Sequence, residues 1–491
     1  MNTKIFKFSL LAAFLLVAIG SGTGCRKELL TALPENQLAE AVSFETPDRF
    51  LSLLNGIYSQ CKQGNFLGSR YSVFTDVRGE EFLNETGNGV TGLQTWNHTV
   101  VESTNEVNYI WNAGYQTINS INIYLEGAQA NSRNLGNDAL LANYLGEARF
   151  IRALCYHSMV LIYCRPYTDG NGSNLGLPLR LKAERLAIDN DLARSTVAEV
   201  YAQILDDLNF AETNLPQSYT PATDMRNTTR AHKNAAIALK ARVYLGMDRY
   251  TDALAEANKL VPATAPFKAT TGIQHELQAN VKTVFTNYTT TESIFSFPFT
   301  TNNLPGTQNA LGYYYNPAPR GNGEYSLNKA GSGIVADSVA FAVSDDRRGL
   351  IIIHTNNKPY LNKFAAGPQS TDYGPMIRYA EVLLTAAESE ARVNGVNQRA
   401  VDLLNAVRTR SKGSAYALTD FADANALVAA LLKERRIEFL GEGLRNFDIM
   451  RLNNPFPAKA NVAAIPSSSN TYIWPMPSGE RQVNKLLQPN P

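Results

Sequence analysis

Paired amphipathic segments recur three times along this chain, and no other feature of the sequence limits its fold as strongly. The first pair is Asn143 to Tyr163 (NYLGEARFIRALCYHSMVLIY) and, after a Gly- and Pro-rich loop, Thr196 to Leu215. The second segment opens with Thr196 and Glu199 in capping-box spacing and sets Val197, Val200, Tyr201, Ile204, Leu205, Leu208 and Ala211 on one stripe. The second pair is AHKNAAIALKARVYLGMDRYTDALAEANKLVPA, where Tyr244, Tyr250 and Ala253, with Pro262 near the end, approximate tetratricopeptide spacing. The third is RYAEVLLTAAESEARVNG followed by NQRAVDLLNAVRTRSKG, with Gly395 in the turn and Ala400 in the second helix. Ahead of them, Thr46 and Pro47 start a helix whose face carries Phe50, Leu53, Leu54, Ile57 and Tyr58. Each unit hides only part of its apolar surface, so the units must stack. The pattern predicts a mainly α fold: tetratricopeptide-like helical repeats in one domain over 46–491, with long irregular insertions and a few short strands.

The insertions span about 66–105 and 262–374 and are rich in Thr, Asn, Gly, Pro and Tyr. Short apolar runs inside the longer one, SIFSFPF and GLIIIH, predict isolated strand pairs. Loops of this length in a compact domain are usually functional, which makes them the place to seek a ligand. Trp96 lies in LQTWNHTV, and Tyr313, Tyr314, Tyr315 and Tyr325 lie in GYYYNPAPRGNGEY beside Arg320. An exposed aromatic face stacks on a sugar ring while neighbouring Asn, Asp and Arg bond its hydroxyls. The alternative is that the same rings pin long loops to the body.

The N-terminus has Lys4 and Lys7, an apolar run from Phe8 to Ile19, and small residues up to Cys25. That is the layout of a secretory signal peptide over 1–24. The apolar run is shorter than the roughly 20 residues that cross a bilayer as a helix. The segment before Cys25 resembles a lipobox, which makes Cys25 the lipid attachment site and 25–45 a spacer. Gly22 stands where a large aliphatic residue is usual, and Arg26 and Lys27 follow the cysteine where a surface-export signal is acidic. Of the remaining cysteines, Cys155 and Cys164 sit nine apart on one expected helix and are too far from each other to bond. Buried thiols are the expectation, with a bond from Cys61 to one of them left open.

Several chemistries find no support. Lys plus Arg number 45 against 44 Asp plus Glu, so no bulk charge attracts nucleic acid. The five histidines, His98, His157, His232, His275 and His354, have no ligand-like spacing, so neither a metal nor another cofactor is expected. There is no G-x-S-x-G elbow or Walker loop. GNGVTG at 87–92 matches the dinucleotide glycine pattern in letters but lacks its flanking context, and reads as a flexible loop. ERRIEFLGEGLRNFDIMR, at 434–451, is dense enough in acids and arginines to suggest an active site. Its first half, however, ends a helix that begins near Asp423 and stops at Gly441. Glu434 and Glu438 would repel one another there, and Arg435, Arg436, Arg445 and Arg451 are the evident cations to offset them. The segment reads as a structural ion-pair element.

In the order in which they occur, EARFIRALCYHSMVLIYCRPY, ARVYLGMDRYTDAL, MIRYAEVLLTAAESEA, LLKERRIEFLGEGLRNFDIMRL and the closing IWPMPSGERQVNKLLQPNP resemble the SusD/RagB outer-membrane lipoproteins of Bacteroidota. The resemblance covers nearly the whole chain. It implies a protein that performs no covalent chemistry, binds oligosaccharides or in some cases peptides, and sits as a hinged lid on a SusC-like TonB-dependent transporter. It also implies anchoring in the outer membrane, facing the cell exterior. By position, Asp76 and Arg78 in FTDVRGEEFLN, then Trp96, Tyr313, Tyr314, Tyr315 and Tyr325, are the ligand-binding candidates. The competing functions are a periplasmic helical-repeat scaffold for protein partners and, with least support, a hydrolase.

Overall fold

The computed structural model describes residues 42–186, 188, 190–364 and 371–490. The expected leader, Cys25 and most of the spacer lie outside these residues. In chain order the principal elements of the first half are α1 (Pro47–Cys61), α2 (Arg70–Val77), β1 (Phe82–Asn84), α3 (Leu93–Asn97), α4 (Asn105–Ala130), α5 (Asp138–Tyr163), α6 (Val197–Asn214), α7 (Lys233–Gly246) and α8 (Tyr250–Ala257). The second half adds β2 (Ser293–Ser296), β3 (Tyr325–Leu327), β4 (Ile351–Ile353), β5 (Pro359–Leu361), β6 (Pro375–Arg378), α9 (Tyr379–Asn394), α10 (Gln398–Arg410), α11 (Ala424–Glu438) and α12 (Arg445–Arg451). None of the described helices is long and apolar enough to cross a membrane.

Helix starts follow their caps. Pro47 occupies the first turn of α1, which buries Phe50, Leu54, Ile57, Tyr58 and Cys61. α6 carries the full reciprocal capping box between Thr196 and Glu199. α5 begins five residues before the expected Asn143, because the Asn137 side chain accepts the Leu140 N–H and starts the helix there. α4 is a helix that periodicity does not predict. Its buried Val107, Ile110, Trp111, Ile118 and Ile121 are interleaved with asparagines that dilute the apolar stripe. Two of those asparagines are structural: Asn119 Nδ2 donates to Glu184 O (2.8 Å) and Asn122 Nδ2 to Arg180 O (2.9 Å), holding the 180–184 stretch against the helix.

The helices form one continuous stack, with α4, α5, α6, α7, α8, α9 and α10 each packed on the next and α11 against α9. The third pair thus continues the second directly in space, although the second insertion separates them in sequence. Three antiparallel two-stranded ladders organise the insertions. β4 and β5 form the pair expected from GLIIIH. β2, from SIFSFPF, pairs with β6 and brings the far end of its insertion back to the start of α9. β1 pairs with β3 in the register Phe82 to Leu327 and Asn84 to Tyr325, so the two insertions are joined to each other.

The charged segment is the hub that fastens both insertions to the stack. Asp423 caps α11, and Gly441 (φ +83°) turns the chain where an added Cβ would strike Leu361. Glu434 pairs with Arg347 (2.6 Å) and Arg408 (3.0 Å), Glu438 with Arg347, Arg378 and Arg410, and Glu442 with Lys363 (2.7 Å) and Arg378 (2.7 Å). With Asp345 on Arg347 and Glu292 on Arg378 and Arg410, five cations and five carboxylates make one connected, net-neutral network. Every side chain in it is at most 6% exposed. The cations offsetting Glu434 and Glu438 therefore come from the second insertion, β6 and α10, and the expected source within the segment is corrected. Arg435 and Arg451 instead hold Asp448, and Arg451 also holds Glu388 of α9. Arg436 and Arg445 reach the first insertion at Glu80 and Glu81. Fork-shaped guanidinium groups suit this role because one Arg bridges several carboxylates in a plane.

Candidate functional site

Six of the seven residues expected to face a ligand are interior. The Asp76 carboxylate accepts the backbone N–H groups of Gly443 (3.0 Å) and Arg445 (3.2 Å), so it caps the entry to α12. Arg78 lies over the Phe456 ring at 4.5 Å and donates to Asn446 and to the Tyr472 carbonyl. Trp96 donates Nε1–H to Phe82 O (2.8 Å), beneath the Lys459 ammonium. Tyr315 packs on Phe82 and Phe364, and Tyr325 donates to Thr91 O (2.9 Å) while stacking on Tyr314. Tyr314, Tyr315 and Tyr325 are 0% exposed. Wrapped loops without regular ladders must bury their own apolar side chains, and these rings supply that core. In this structure they are pins, and the expectation that they offer faces to a ligand is corrected. Tyr313 alone of the seven keeps part of its ring at the surface, with its hydroxyl 3.3 Å from Gln308 Nε2.

The GNGVTG loop does have a short strand before it and a short helix after it, β1 and α3. The strand is half of an antiparallel pair, though, and the loop closes on a carboxylate: Thr91 Oγ1 donates to Glu324 Oε2 (2.8 Å), and Thr86 also bonds it. A site that turns an acid inward repels a pyrophosphate, and the loop is a tied turn rather than a free one. Two histidines distant in sequence, His232 and His275, stack at 5.7 Å. Each has a ring nitrogen on a backbone carbonyl, and burial pushes their pKa values down to about 4 and about 3. Among the described residues no group of His, Cys, Asp and Glu is arranged to hold a metal.

Open, solvent-connected volume lies between the C-terminal end of α1 and the 299–309 segment. This cleft has a volume of about 520 Å³ and is lined by Gln60, Lys62, Gln63, Asn65, Asn303 and Asn309, with Phe299, Leu304 and Pro305 as its apolar part. Its walls approach closely at the base because Gly64 has no side chain; a Cβ there would lie 2.1 Å from Pro305 O. Ser69 Oγ donates to Gly64 O (2.8 Å) and to Asn309 O, and Asn309 Nδ2 donates to Pro305 O (2.9 Å), stitching the two walls together. The Lys62 ammonium sits 5.2 Å over the Phe299 ring and donates to Pro298 O (3.0 Å). Burial lowers the Lys62 pKa.

Among the described residues, five carboxamides and one cation line this cleft, with no carboxylate. Gln60 Oε1 and Asn309 Oδ1 are buried acceptors without a hydrogen-bond partner among those residues. Carboxamides both donate and accept, which matches the hydroxyl pattern of a sugar or the peptide bonds of an extended chain. Beyond the stitched base, Tyr109 is 37% exposed and the Arg70 guanidinium lies 5.5 Å from its ring. A second cleft, of about 570 Å³, runs between 265–277 and α10. It is slightly larger, but two carboxylates line it, Glu276 and Asp402, with Lys268 facing Glu276 at 3.4 Å. The amide cleft is the better candidate because two of its polar groups are left without partners. Sequence reasoning missed it by searching for aromatic residues. The signal present was amide density, in SQCKQGN at 59–65 and TNNLPGTQN at 301–309.

Comparison with known proteins gives a consistent picture. One family model, described as starch-binding associating with outer membrane, matches residues 30–245, and another, described as the SusD family, matches 350–491. SusD-like protein P2 of Formosa agariphila is 24% identical over 511 residues, covering 93% of this chain and 94% of that protein. A SusD superfamily protein from Bacteroides fragilis superposes with a TM-score of 0.80 at 29% identity, covering 91% of this chain and 100% of the other. A SusD-like carbohydrate binding protein from Bacteroides vulgatus has the same fold, with a TM-score of 0.74 at 16% identity over 90% of this chain and 97% of its own.

Proposed function

Because this chain belongs to the SusD/RagB family, whose members bind rather than transform their ligands, we propose that it captures oligosaccharide in the amide-lined cleft and passes it to a SusC-like TonB-dependent transporter. Association with the outer membrane comes with the family; attachment through a lipid on Cys25, facing the cell exterior, is part of the proposal. The observation that carries the ligand reading is the cleft itself: about 520 Å³, five carboxamides, two buried acceptors without partners and no acid. Tyr313 is the ring proposed to stack on a sugar there, since its hydroxyl meets Gln308, which precedes the lining Asn309. A peptide is the second reading, since the same amides pair with main-chain groups in extended segments.

Isothermal titration of the purified chain against a glycan panel and an extended-peptide library separates the two. Glycan binding that weakens at least tenfold in a Gln63→Ala, Asn65→Ala double variant supports the proposal. Binding of peptides alone selects the second reading, and binding of neither overturns both. Co-purification of a TonB-dependent barrel from outer membranes tests the partner.

A further inference from the structure

We propose that Cys61 and Cys155 are joined by a disulfide in the exported protein, clamping the wall of the amide cleft to the core of the helical stack. The two sulfurs lie 3.8 Å apart, and both residues are 0% exposed. Cys61 is the last residue of α1, and Cys155 is central in α5, 94 positions later. Cys61 stands between Gln60 and Lys62, both of which line the cleft. One turn earlier on α1 and about two turns earlier on α5 the same helices are already tied, because Tyr58 donates to Glu147 Oε2 (2.7 Å) and Glu147 is paired with Arg230 (2.7 Å). The helix faces that carry the two thiols are therefore held in opposition, and moving the sulfurs to bonding distance is a small displacement of the kind rotamer adjustment supplies. Cys164, also buried, lies on α5's C-terminal cap beside Arg194 and has no thiol neighbour among the described residues.

The proposal rests on the chain being exported, since disulfides persist in oxidising compartments and not in the cytosol. The reaction is thiol–disulfide exchange with a disulfide-bearing oxidase protein. One Cys thiolate attacks the oxidase disulfide to form a mixed disulfide, and the other then displaces the oxidase thiolate. Two S–H bonds are lost, one S–S bond forms, and the oxidase leaves as a dithiol carrying both electrons. Burial pushes the Cys61 thiol well above its ordinary range, so little thiolate exists once α1 has docked. The bond accordingly forms during folding and is then shielded from reductants.

The test is to express the full chain with its own leader in a Bacteroidota host and, in parallel, without the leader in the cytosol. Both are denatured without reductant in iodoacetamide and mapped by peptide mass. The expected result is a linked Cys61–Cys155 peptide with Cys164 alkylated in the exported chain, and Cys61, Cys155 and Cys164, together with the unlipidated Cys25, all alkylated in the cytosolic one. Fractionating the same cells reports export separately. An outer-membrane chain with Cys61, Cys155 and Cys164 all alkylated overturns the crosslink, and a full-length chain retained in the cytosol overturns the export on which it rests. As a check independent of mass, the exported chain should melt several degrees above a Cys61→Ala, Cys155→Ala variant; equal melting with no linked peptide overturns the proposal too.

Discussion

Changing Glu438 to Gln tests whether the charged hub is a frame or a site. Glu438 is 0% exposed and its two oxygens meet Arg347, Arg378 and Arg410. Burial alone would raise its pKa, but Arg410, Arg378 and Arg347 together hold the carboxyl well below the usual range. Glutamine keeps the shape and removes the charge. The network then contains five cations against four acids, and an amide N–H₂ faces a guanidinium. Removing one partner from a buried ion-pair network costs about 3–5 kcal/mol. With roughly 440 described residues and about 2.1 cal/mol/K of unfolding entropy per residue, that is a fall of about 3–5 °C in melting temperature. Because the folded-state pKa is depressed, the stabilisation is complete above the unfolded value of about 4.5 and is lost as pH falls through the folded one. The gap between wild type and Glu438→Gln measured by calorimetry should therefore be full at pH 7 and shrink below pH 4. Glycan affinity of the folded variant should be unchanged. Lys412→Ala, at an exposed pair with Asp346, is the control and should stay within about 0.5 kcal/mol. If Glu438→Gln melts with wild type at pH 7 and loses ligand instead, the reasoning is wrong.

Further outcomes follow from the cleft and the pins. Tyr315→Ala should lose about 3–5 kcal/mol of stability by emptying a packed site, measured by denaturant unfolding. Tyr313→Ala, at a half-buried ring, should change melting little while weakening glycan binding several-fold. Lys62→Gln should leave affinity for neutral glycans within about twofold and abolish any preference for uronate-bearing ones, because Lys62 is the one cation lining that cleft; titration at two ionic strengths reads this directly. Gly441→Ala should destabilise by about 1 kcal/mol or more, since the position needs φ near +83° and the added methyl meets Leu361.

The repeat body is legible in the sequence because helix pairs carry strong local signals: a capping box at Thr196, a turn glycine at Gly395, a proline at Pro47. α4 is not, because its Asn-rich stripe is amphipathic only when the 180–184 stretch is already lying on it. The site is less legible still, and the reason is physical. An aromatic ring in a polar loop has the same sequence signature whether it faces solvent or serves as the loop's own core. Trp96, Tyr314, Tyr315 and Tyr325 all take the second role, which depends on β1 of the first insertion pairing with β3 of the second, a contact that no local pattern encodes. Charge is legible in kind but not in partner: the segment 434–451 visibly needs arginines, and the ones that Glu434 and Glu438 use come from 347, 378, 408 and 410.

Partner number also decides the sign of a single chemical change at two buried glutamates. Glu106, in the first turn of α4, is 1% exposed, and neither of its oxygens is hydrogen-bonded to another residue. Burial raises its pKa; its own backbone and the charge on Arg70 pull the other way without prevailing. With the folded pKa above the unfolded one, the folded state disfavours the ionised form, so stability is greatest below about pH 4 and declines as pH rises through the folded value. Glu106→Gln removes that penalty at pH 7. The expected result is a net gain, because the amide carries no charge to desolvate, reduced by losing a few tenths of a kcal/mol from the helix N-terminus. The gain should disappear at pH 4, where the loss caused by Glu438→Gln is only beginning to shrink. Effects of opposite sign from the same Glu→Gln change would follow only if desolvation governs one site and paired arginines the other. Destabilisation by Glu106→Gln at pH 7 would refute the assignment of that carboxylate as uncompensated.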